Sequence, residues 1–326
     1  MARLAGAGYC IAPRLRTVPK VMRAFLWIIA VTVVTLLVTS LVAYPAYLLA
    51  HDINASWKFH RVASRIAMLI ALVGVIAVAR RYRLGDRKAL GFSLPVGEYL
   101  RTASACFLAG VATMLPMLGL MFAAHLRLAQ PDVVFDAAFL ARLALQSVAG
   151  GIAVALIEET FFRGFLHTAV ERERGPATAV VAVSLLFGVL HFIGKARVPG
   201  TEFEWSSGFV WLGESLRLLA HPAAILDSFL AYVAVGAVLG MVRAWMGHTA
   251  GCIGLHAGWV AAMLVVREST FPNAAAPLAF LQGSFDGFVG WLVCGWTIVI
   301  GLAFLALKRR GLAFAHATAQ GIPRAS

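Results

Sequence analysis

The sequence predicts an all-α, polytopic membrane protein with about eight transmembrane helices. Of its 326 residues, 61% are hydrophobic and only 13% are charged, and the mean hydropathy is +0.84. Soluble globular domains carry about 45–50% apolar and about 25% charged residues. Predominantly apolar windows of about 20 residues, the length that a helix needs to cross a bilayer, recur along the chain. A soluble domain is therefore excluded.

Eight such windows predict the spans in order. They lie at residues 24–49, 62–79, 103–125, 138–168, 177–194, 223–245, 250–266 and 286–307. The first window is longer than the 7–15 apolar residues typical of a signal peptide, so we interpret it as a retained transmembrane helix.

The positive charge of the chain follows these spans. The formal net charge is +13, and the basic residues form clusters that flank apolar windows: Arg14, Arg16, Lys20 and Arg23, then Arg80, Arg81, Arg83, Arg87 and Lys88, and finally Lys308, Arg309 and Arg310. Lys and Arg concentrate on the cytoplasmic side of membrane proteins. We therefore expect a multi-pass protein of a cell membrane, with a bacterial inner membrane favoured, and with both termini cytoplasmic. The lipid bilayer is its predicted partner, and nucleic acid is not.

The chain divides into four predicted parts. Residues 1–23 form a basic cytoplasmic tail, residues 24–135 hold the first transmembrane helices, residues 136–266 form the core with the intramembrane polar groups, and residues 267–326 hold the last helix and a basic tail. The connection 195–222 carries tryptophans among acidic residues, which indicates a segment lying along the outer membrane surface. Arg267 and Glu268 are interpreted as a solvated interfacial pair.

Three ionisable residues stand inside one apolar window: Glu158, Glu159 and Arg163. A charge at membrane depth costs roughly 2.5–3.5 kcal/mol on insertion scales, so it needs a partner or a function. On a helix, Glu159 and Arg163 share a face and can form an ion pair. Glu158 then lies about 100° around the helix and can face a cavity. It is the candidate catalytic base.

Two histidines lie in later spans, His191 and His256. A single buried histidine is more often a satisfied core group than a catalyst. However, the spans on either side of a predicted turn near Gly175 form a hairpin, with the glutamates about 16 residues before the turn and His191 about 16 after it. Both groups therefore lie about 24 Å from the turn. Carboxylates and an imidazole at matching depth predict a shared site.

This set of groups predicts hydrolysis. A carboxylate beside a neutral imidazole can deprotonate a water held between them, and a second histidine can stabilise the oxyanion of a tetrahedral intermediate. Two histidines and a carboxylate also suffice as ligands for zinc. The sequence has no H-E-x-x-H motif that would place two metal ligands on one helix, so we favour a site without a metal or another cofactor.

Three motifs in order resemble those of the CPBP intramembrane proteases, relatives of the type II CAAX prenyl protease. They are E-E-x-x-x-R (Glu158, Glu159, Arg163), F-x-x-x-H (Phe187, His191) and a helical histidine before alanine (His256, Ala257). Residues 89–92 also resemble the short L-G-F stretch found upstream in that family. The resemblance covers roughly residues 140–265.

The resemblance implies a CAAX-protease-like helical bundle and an endopeptidase that hydrolyses a peptide bond in a membrane-associated peptide or protein. In that reading Glu158 activates water with His191 as its partner. Glu159 and Arg163 shape and charge-balance the site, and His256 helps to form the oxyanion hole. The sequence does not identify the substrate or say whether it is prenylated.

One position departs from the family pattern. The third motif usually continues H-x-x-x-N, and the fourth residue after His256 is Val260, which donates no hydrogen bond. Trp259 carries an indole N–H but would need rearrangement to replace the missing donor. A catalytically weak or inactive protein of this fold, acting as a binding or immunity-type factor, is therefore the alternative. A proton-coupled carrier is a third reading, which the lack of an internal repeat argues against.

Overall fold

The computed structural model describes residues 20–53, 57–81, 86–131, 133–193, 198, 200 and 202–319. In this part of the chain the structure is almost entirely helical: α1 Lys20–Ile53, α2 Phe59–Arg81, α3 Val96–Ala123, α4 Ala137–Glu159, a π-helical segment Thr160–Leu166, α5 His167–Leu190, α6 Ser207–Ala220, α7 Leu226–Met246, α8 Ala250–Ser269 and α9 Trp291–Ala319. Two short strands, β1 Arg127–Ala129 and β2 Thr270–Pro272, pair antiparallel. The predicted all-α membrane fold is confirmed. Arg14, Arg16 and Arg83 of the predicted basic clusters lie outside the described residues.

Among the described residues, seven helical stretches are long and apolar enough to cross a membrane, and one of them is 54 residues long. This stretch, Ala137–Leu190, is broken at Gly175, whose φ of 80° and ψ of 168° are not helical. Glu158 and His191 are 33 residues apart and would be about 50 Å apart in a straight helix. Their side chains instead approach within 3.8 Å. The chain therefore reverses at Gly175, as the sequence predicted, and divides the stretch into two arms.

The helices that carry the core pack closely because glycines line their contacts. A Cβ atom on Gly254 or Gly258 of α8 would meet the backbone oxygens of Ala103 and Phe107 on α3. A Cβ atom on Gly151 of α4 would likewise meet the carbonyl oxygen of Ala257 on α8. Small residues allow such approach between membrane helices. Helix α8 is thereby held between α3 and α4, which fixes the height of His256.

The L-G-F stretch before α3 docks against the core at one end of the bundle. The backbone N–H of Thr249, in the turn between α7 and α8, donates to the carbonyl oxygen of Gly91 at 3.0 Å. The hydroxyl of Thr168 donates to the carbonyl oxygen of Ala89 at 2.9 Å, and Gly164 has room for only a hydrogen beside Leu90. This short segment thus connects the π-helical region to the α7–α8 turn.

The other end of the bundle is closed by the β1–β2 pair and by residues 282–290, which we call the strap. The guanidinium of Arg127 is buried and donates to Thr270 Oγ1 at 2.6 Å and to the carbonyl oxygen of Gly287 at 2.8 Å. Strap residue Ser284 donates its backbone N–H to the carboxylate of Asp227, at the start of α7, at 2.9 Å. The strap is therefore tied both to the strands and to α7.

Helix α6 lies within the predicted interfacial connection and packs on α1. Trp211 is fully buried, whereas Phe209, Val210 and Leu216 are exposed. Residues 195–197, 199 and 201 of the same connection lie outside the described residues. An amphipathic helix with an exposed apolar face is typical of membrane-surface segments, so the interfacial position of this connection stays a prediction.

Candidate active site

Glu159 and Arg163 form the buried ion pair that their spacing predicts. Arg163 Nη1 lies 2.9 Å from Glu159 Oε1, and both side chains are fully inaccessible to solvent. The guanidinium also donates to the carbonyl oxygen of Gly236 on α7 at 3.0 Å and lies 4.8 Å from the ring centroid of Phe187. A buried ion pair needs further hydrogen bonds to offset its loss of hydration. Gly236 and Phe187 supply part of that compensation for Arg163.

The chain leaves α-helical geometry immediately after Glu159. Residues Thr160–Leu166 form a π helix, and the backbone N–H of His167 donates to the carbonyl oxygen of Phe162, five residues earlier. Sequence analysis treated this region as a regular helix and missed the change. Single-turn π-helical insertions are frequent at functional sites, and here the segment carries Arg163 and Gly164.

A second buried arginine supports the π segment from α7. Arg243 donates from Nε to the carbonyl oxygen of Arg163 at 3.1 Å and from Nη2 to the hydroxyl of Thr168 at 3.2 Å. The backbone carbonyls of a π helix do not follow the i→i+4 hydrogen-bond pattern of an α-helix. Arg243 donates a hydrogen bond to one of these carbonyl oxygens. It thus holds the backbone that carries Arg163.

His256 of α8 contacts Glu159 rather than Glu158. Its Nδ1 lies 2.8 Å from Glu159 Oε1, and the residue is 5% exposed. Because a carboxylate oxygen accepts, Nδ1 carries the proton of this hydrogen bond. The opposite nitrogen, Nε2, is therefore the one that remains for a ligand. Sequence analysis predicted that His256 belongs to the site but did not identify Glu159 as its partner.

Glu158 and His191 form the more accessible half of the site. Glu158 Oε2 lies 3.8 Å from His191 Nε2, and their side chains are 30% and 13% exposed. His191 Nδ1 lies 2.7 Å from the carbonyl oxygen of Phe187. A carbonyl only accepts, so Nδ1 carries a proton, and in the neutral ring Nε2 presents its lone pair to Glu158.

The ring of Phe187 joins the two halves. Its centroid lies 4.2 Å from that of His191 and 6.2 Å from that of His256, and the guanidinium of Arg163 lies over its face. The structure therefore brings all five predicted site residues together around one aromatic side chain.

Tyr232 of α7 is a site neighbour that sequence analysis did not find. Its ring stacks on the imidazole of His191, with centroids 4.1 Å apart and planes tilted by 25°. Nothing in the sequence near Tyr232 marks it, because its stacking partner His191 lies about 40 residues before it.

The position of the missing asparagine is not filled by its neighbour. The indole N–H of Trp259 donates to the hydroxyl of Thr113 on α3 at 3.0 Å, which directs it away from His256. Among the described residues, no three His, Cys, Asp or Glu side chains group closely enough to hold a metal ion.

Residues 140–262 match the family model described as Type II CAAX prenyl endopeptidase Rce1-like, which confirms the resemblance drawn from the motifs. The matched segment contains Glu158, Glu159, Arg163, His191 and His256. Searches of curated proteins and of solved structures gave no match to this chain.

Proposed function

Starting from a core that matches the type II CAAX prenyl endopeptidases, we propose that this protein is an intramembrane endopeptidase. It hydrolyses a peptide bond in a membrane-associated peptide or protein, using a water activated by Glu158. The approach of Glu158 and His191 at membrane depth carries the proposal.

The carboxylate of Glu158 and Nε2 of neutral His191 face each other, and both are hydrogen-bond acceptors. A carboxylate and an unprotonated Nε2 that are 3.8 Å apart are too far apart for a direct hydrogen bond and are spaced for a bridging water. That water donates one hydrogen to each group and keeps a lone pair for attack on a carbonyl carbon. Glu158 takes the proton as the C–O bond forms, and it returns a proton to the leaving amine as the C–N bond breaks.

The second half of the site stabilises the charge that develops. In doubly protonated His256, Nδ1–H donates to Glu159 and Nε2–H donates to the oxyanion of the tetrahedral intermediate. Glu159 stabilises that imidazolium, and Arg163 holds Glu159 in place at 2.9 Å. Glu158, which faces His191, and Glu159, which is held by Arg163, thus have different tasks.

The test is cleavage of a panel of quenched fluorescent peptides, including a prenylated CAAX peptide, by the purified protein in detergent. Glu158→Gln keeps the size of the side chain and removes the base, so we expect at least about a 100-fold loss of rate, the lower end of the usual contribution of a general base. Glu268→Gln is the matched control, because Glu268 is exposed at the end of α8. Wild-type rates in folded Glu158→Gln protein would refute the proposal.

Two further experiments test whether the activity needs a metal and on which side of the membrane the termini lie. Chelator added to the same assay leaves the cleavage rate unchanged if the mechanism uses no metal. Loss of cleavage with chelator and its recovery with zinc would identify His191 and His256 as metal ligands. Tags at both ends, probed from each side of the membrane, test the proposed cytoplasmic location of the termini.

A non-catalytic role as a binding or immunity-type factor is the second candidate. It is favoured by Val260 and by the commitment of the Trp259 N–H to Thr113, since loss of one oxyanion donor costs about 10²–10³ in rate. A cellular phenotype that depends on this protein and survives Glu158→Ala combined with His191→Ala would support this role. Loss of that phenotype in folded double variant would contradict it.

A further inference from the structure

Arg243, near the end of α7, is a buried cation whose hydrogen bonds go to neutral oxygens. The residue is 6% exposed, and its guanidinium donates to the carbonyl oxygen of Arg163 at 3.1 Å and to the hydroxyl of Thr168 at 3.2 Å. Neither of these partners carries a negative charge, so neither neutralises the arginine. An ionisable residue within a transmembrane helix is costly and usually has a function. The partners of Arg243 indicate what that function is.

Helix α7 holds Arg163 at both ends. Arg243 donates to the backbone carbonyl oxygen of Arg163, and the guanidinium of Arg163 donates to the carbonyl oxygen of Gly236 at 3.0 Å. Gly236 and Arg243 lie two helical turns apart on α7. A free arginine side chain samples many rotamers. With its backbone and its tip both fixed to one helix, the guanidinium of Arg163 is kept in one place.

A chain of hydrogen bonds continues from Arg163 to His256. Arg163 Nη1 lies 2.9 Å from Glu159 Oε1, and the same oxygen lies 2.8 Å from Nδ1 of His256. One carboxylate oxygen thus accepts from both groups. A displacement of the guanidinium therefore moves the carboxylate of Glu159, and with it the imidazole whose Nε2 remains for a ligand.

The second hydrogen bond of Arg243 extends this support to the L-G-F stretch. The hydroxyl of Thr168 accepts from Arg243 and donates to the carbonyl oxygen of Ala89 at 2.9 Å, which uses both capacities of a hydroxyl group. A Cβ atom on Gly164, the residue after Arg163, would meet the carbonyl oxygen of Leu90. The backbone on which Arg163 lies is therefore fixed to α7 and to the L-G-F stretch, and Arg243 contacts the residues that join them.

We propose that Arg243 is a positioning residue of the site: it holds the carbonyl group of Arg163, and through Arg163 and Glu159 it orients the imidazole of His256. The inference rests on the role given to His256 in the proposed function. Arg243 touches no reacting atom. It acts by keeping Nε2 of His256 where it can donate to the oxyanion, and a misplacement of about 1 Å in such a group can cost about 100-fold in rate.

The first readout is kinetic. Arg243→Met removes both hydrogen bonds and nearly conserves the side-chain volume. We expect it to lower kcat by about 10- to 100-fold with KM changed less than about 2-fold, since it acts on a transition-state donor and leaves substrate contacts untouched. Arg243→Lys keeps the charge, but an ammonium cannot reproduce both bonds of the planar fork, so kcat should still fall by about 3- to 10-fold. Wild-type kcat in whichever of these variants is folded would overturn the proposal.

Arg127→Met is the matched control for a general loosening of the fold. Arg127 is 5% exposed and likewise donates to a threonine hydroxyl and a carbonyl oxygen, those of Thr270 at 2.6 Å and Gly287 at 2.8 Å. It lies at the other end of the bundle. Its loss should lower the melting temperature but leave kcat within about 3-fold of wild type wherever the variant is folded. Equal losses of kcat in Arg127→Met and Arg243→Met would contradict positioning by Arg243.

The last readout does not depend on activity. Long-range ¹H–¹⁵N spectra of histidine-labelled protein report the protonation of each ring nitrogen, and His256→Asn identifies the signal of His256. We expect a single form with a proton on Nδ1 in wild type and in Arg127→Met, and exchange broadening or a second form in Arg243→Met and Arg243→Lys. A His256 signal unchanged in both Arg243 variants would overturn the proposal. If the wild type cleaves no peptide, the proposed function fails, while these spectra still decide whether Arg243 positions His256.

Discussion

The buried ion pair between Glu159 and Arg163 gives a direct test of the electrostatics of the site. Arg163→Met removes the cation and nearly conserves the side-chain volume. It leaves the carboxylate of Glu159 fully buried and without its cation, for which the expected cost is about 3–5 kcal/mol in the free energy of unfolding. His256 still donates to Glu159, so the lower part of this range is expected.

Adding Glu159→Gln to Arg163→Met removes the stranded charge. Compared with wild type, the double variant still lacks the hydrogen bond to Gly236 at 3.0 Å and the contact of the guanidinium with Phe187. Each of these contributes about 1 kcal/mol to stability. The double variant should therefore be about 1–3 kcal/mol more stable than Arg163→Met alone. A second mutation that restores stability identifies a charge-pairing effect rather than a packing effect.

Unfolding in mixed micelles with increasing sodium dodecyl sulfate, followed by tryptophan fluorescence, measures these differences. The control is Arg217→Met, because Arg217 pairs with Glu214 at 2.8 Å but is 63% exposed, so its loss should cost less than about 1 kcal/mol. A double variant that is no more stable than Arg163→Met would refute the reasoning, because the cost would then come from lost packing.

Two further predictions concern the scaffold. Gly258→Ala should destabilise the protein by about 1–3 kcal/mol, because the added Cβ atom meets the carbonyl oxygen of Phe107 in a well-packed contact. The control is Gly119→Ala on α3, which has open space around it and should leave stability unchanged or raise it by up to about 1 kcal/mol. Equal melting temperatures for the two variants would contradict the close packing of α3 and α8. His248, in the turn between α7 and α8, has its pKa lowered below 6.5 by burial and then by the charge of Arg243. The unfolded chain therefore binds more protons than the folded one just below pH 6.5, so this contribution to stability is complete above that pH and is lost as the pH falls. The melting temperature of His248→Asn should fall less than that of wild type between pH 7.5 and pH 5, and parallel curves would contradict the prediction.

Local rules were sufficient for much of the site. The spacing of Glu159 and Arg163 places them on adjacent turns of one helix, and counting residues from Gly175 brings Glu158 and His191 to the same depth. Both arguments use only the rise and rotation of a helix. The G-x-x-x-G spacing of Gly254 and Gly258 on α8 is likewise a local pattern, because residues without a side chain permit close contact with a neighbouring helix.

The geometry of a single helix does not predict which side chains of different helices contact each other. The pairing of His256 with Glu159 depends on how α8 is rotated between α3 and α4. Trp259 donates to Thr113 for the same reason. Arg267 was interpreted as pairing with the adjacent Glu268, but it lies 3.0 Å from Asp286 because the strap folds back over the end of α8. Sequence neighbours on a helix point in different directions, so a partner from another segment is preferred.

The π-helical segment was missed for a different reason. It includes aromatic residues and Gly164 that fit a regular helix equally well in the sequence. Its geometry is supported from outside, by Arg243 bound to the carbonyl oxygen of Arg163 and by the L-G-F stretch packed on Gly164. A change of helix type that is stabilised by tertiary contacts leaves no local pattern to detect.

The reversal at Gly175 also decides the parity of the membrane crossings. Counting continuous helices in the part of the chain that the structure describes gives seven candidate spans, an odd number that would leave the two ends in different compartments. Dividing the long stretch at the turn gives eight segments, and if each crosses once, the chain returns to the compartment from which it started. A single residue with a positive φ thus determines whether the charged tails are neighbours or are separated by the membrane. With eight crossings both basic ends would face the same leaflet, as the distribution of Lys and Arg along the chain predicts.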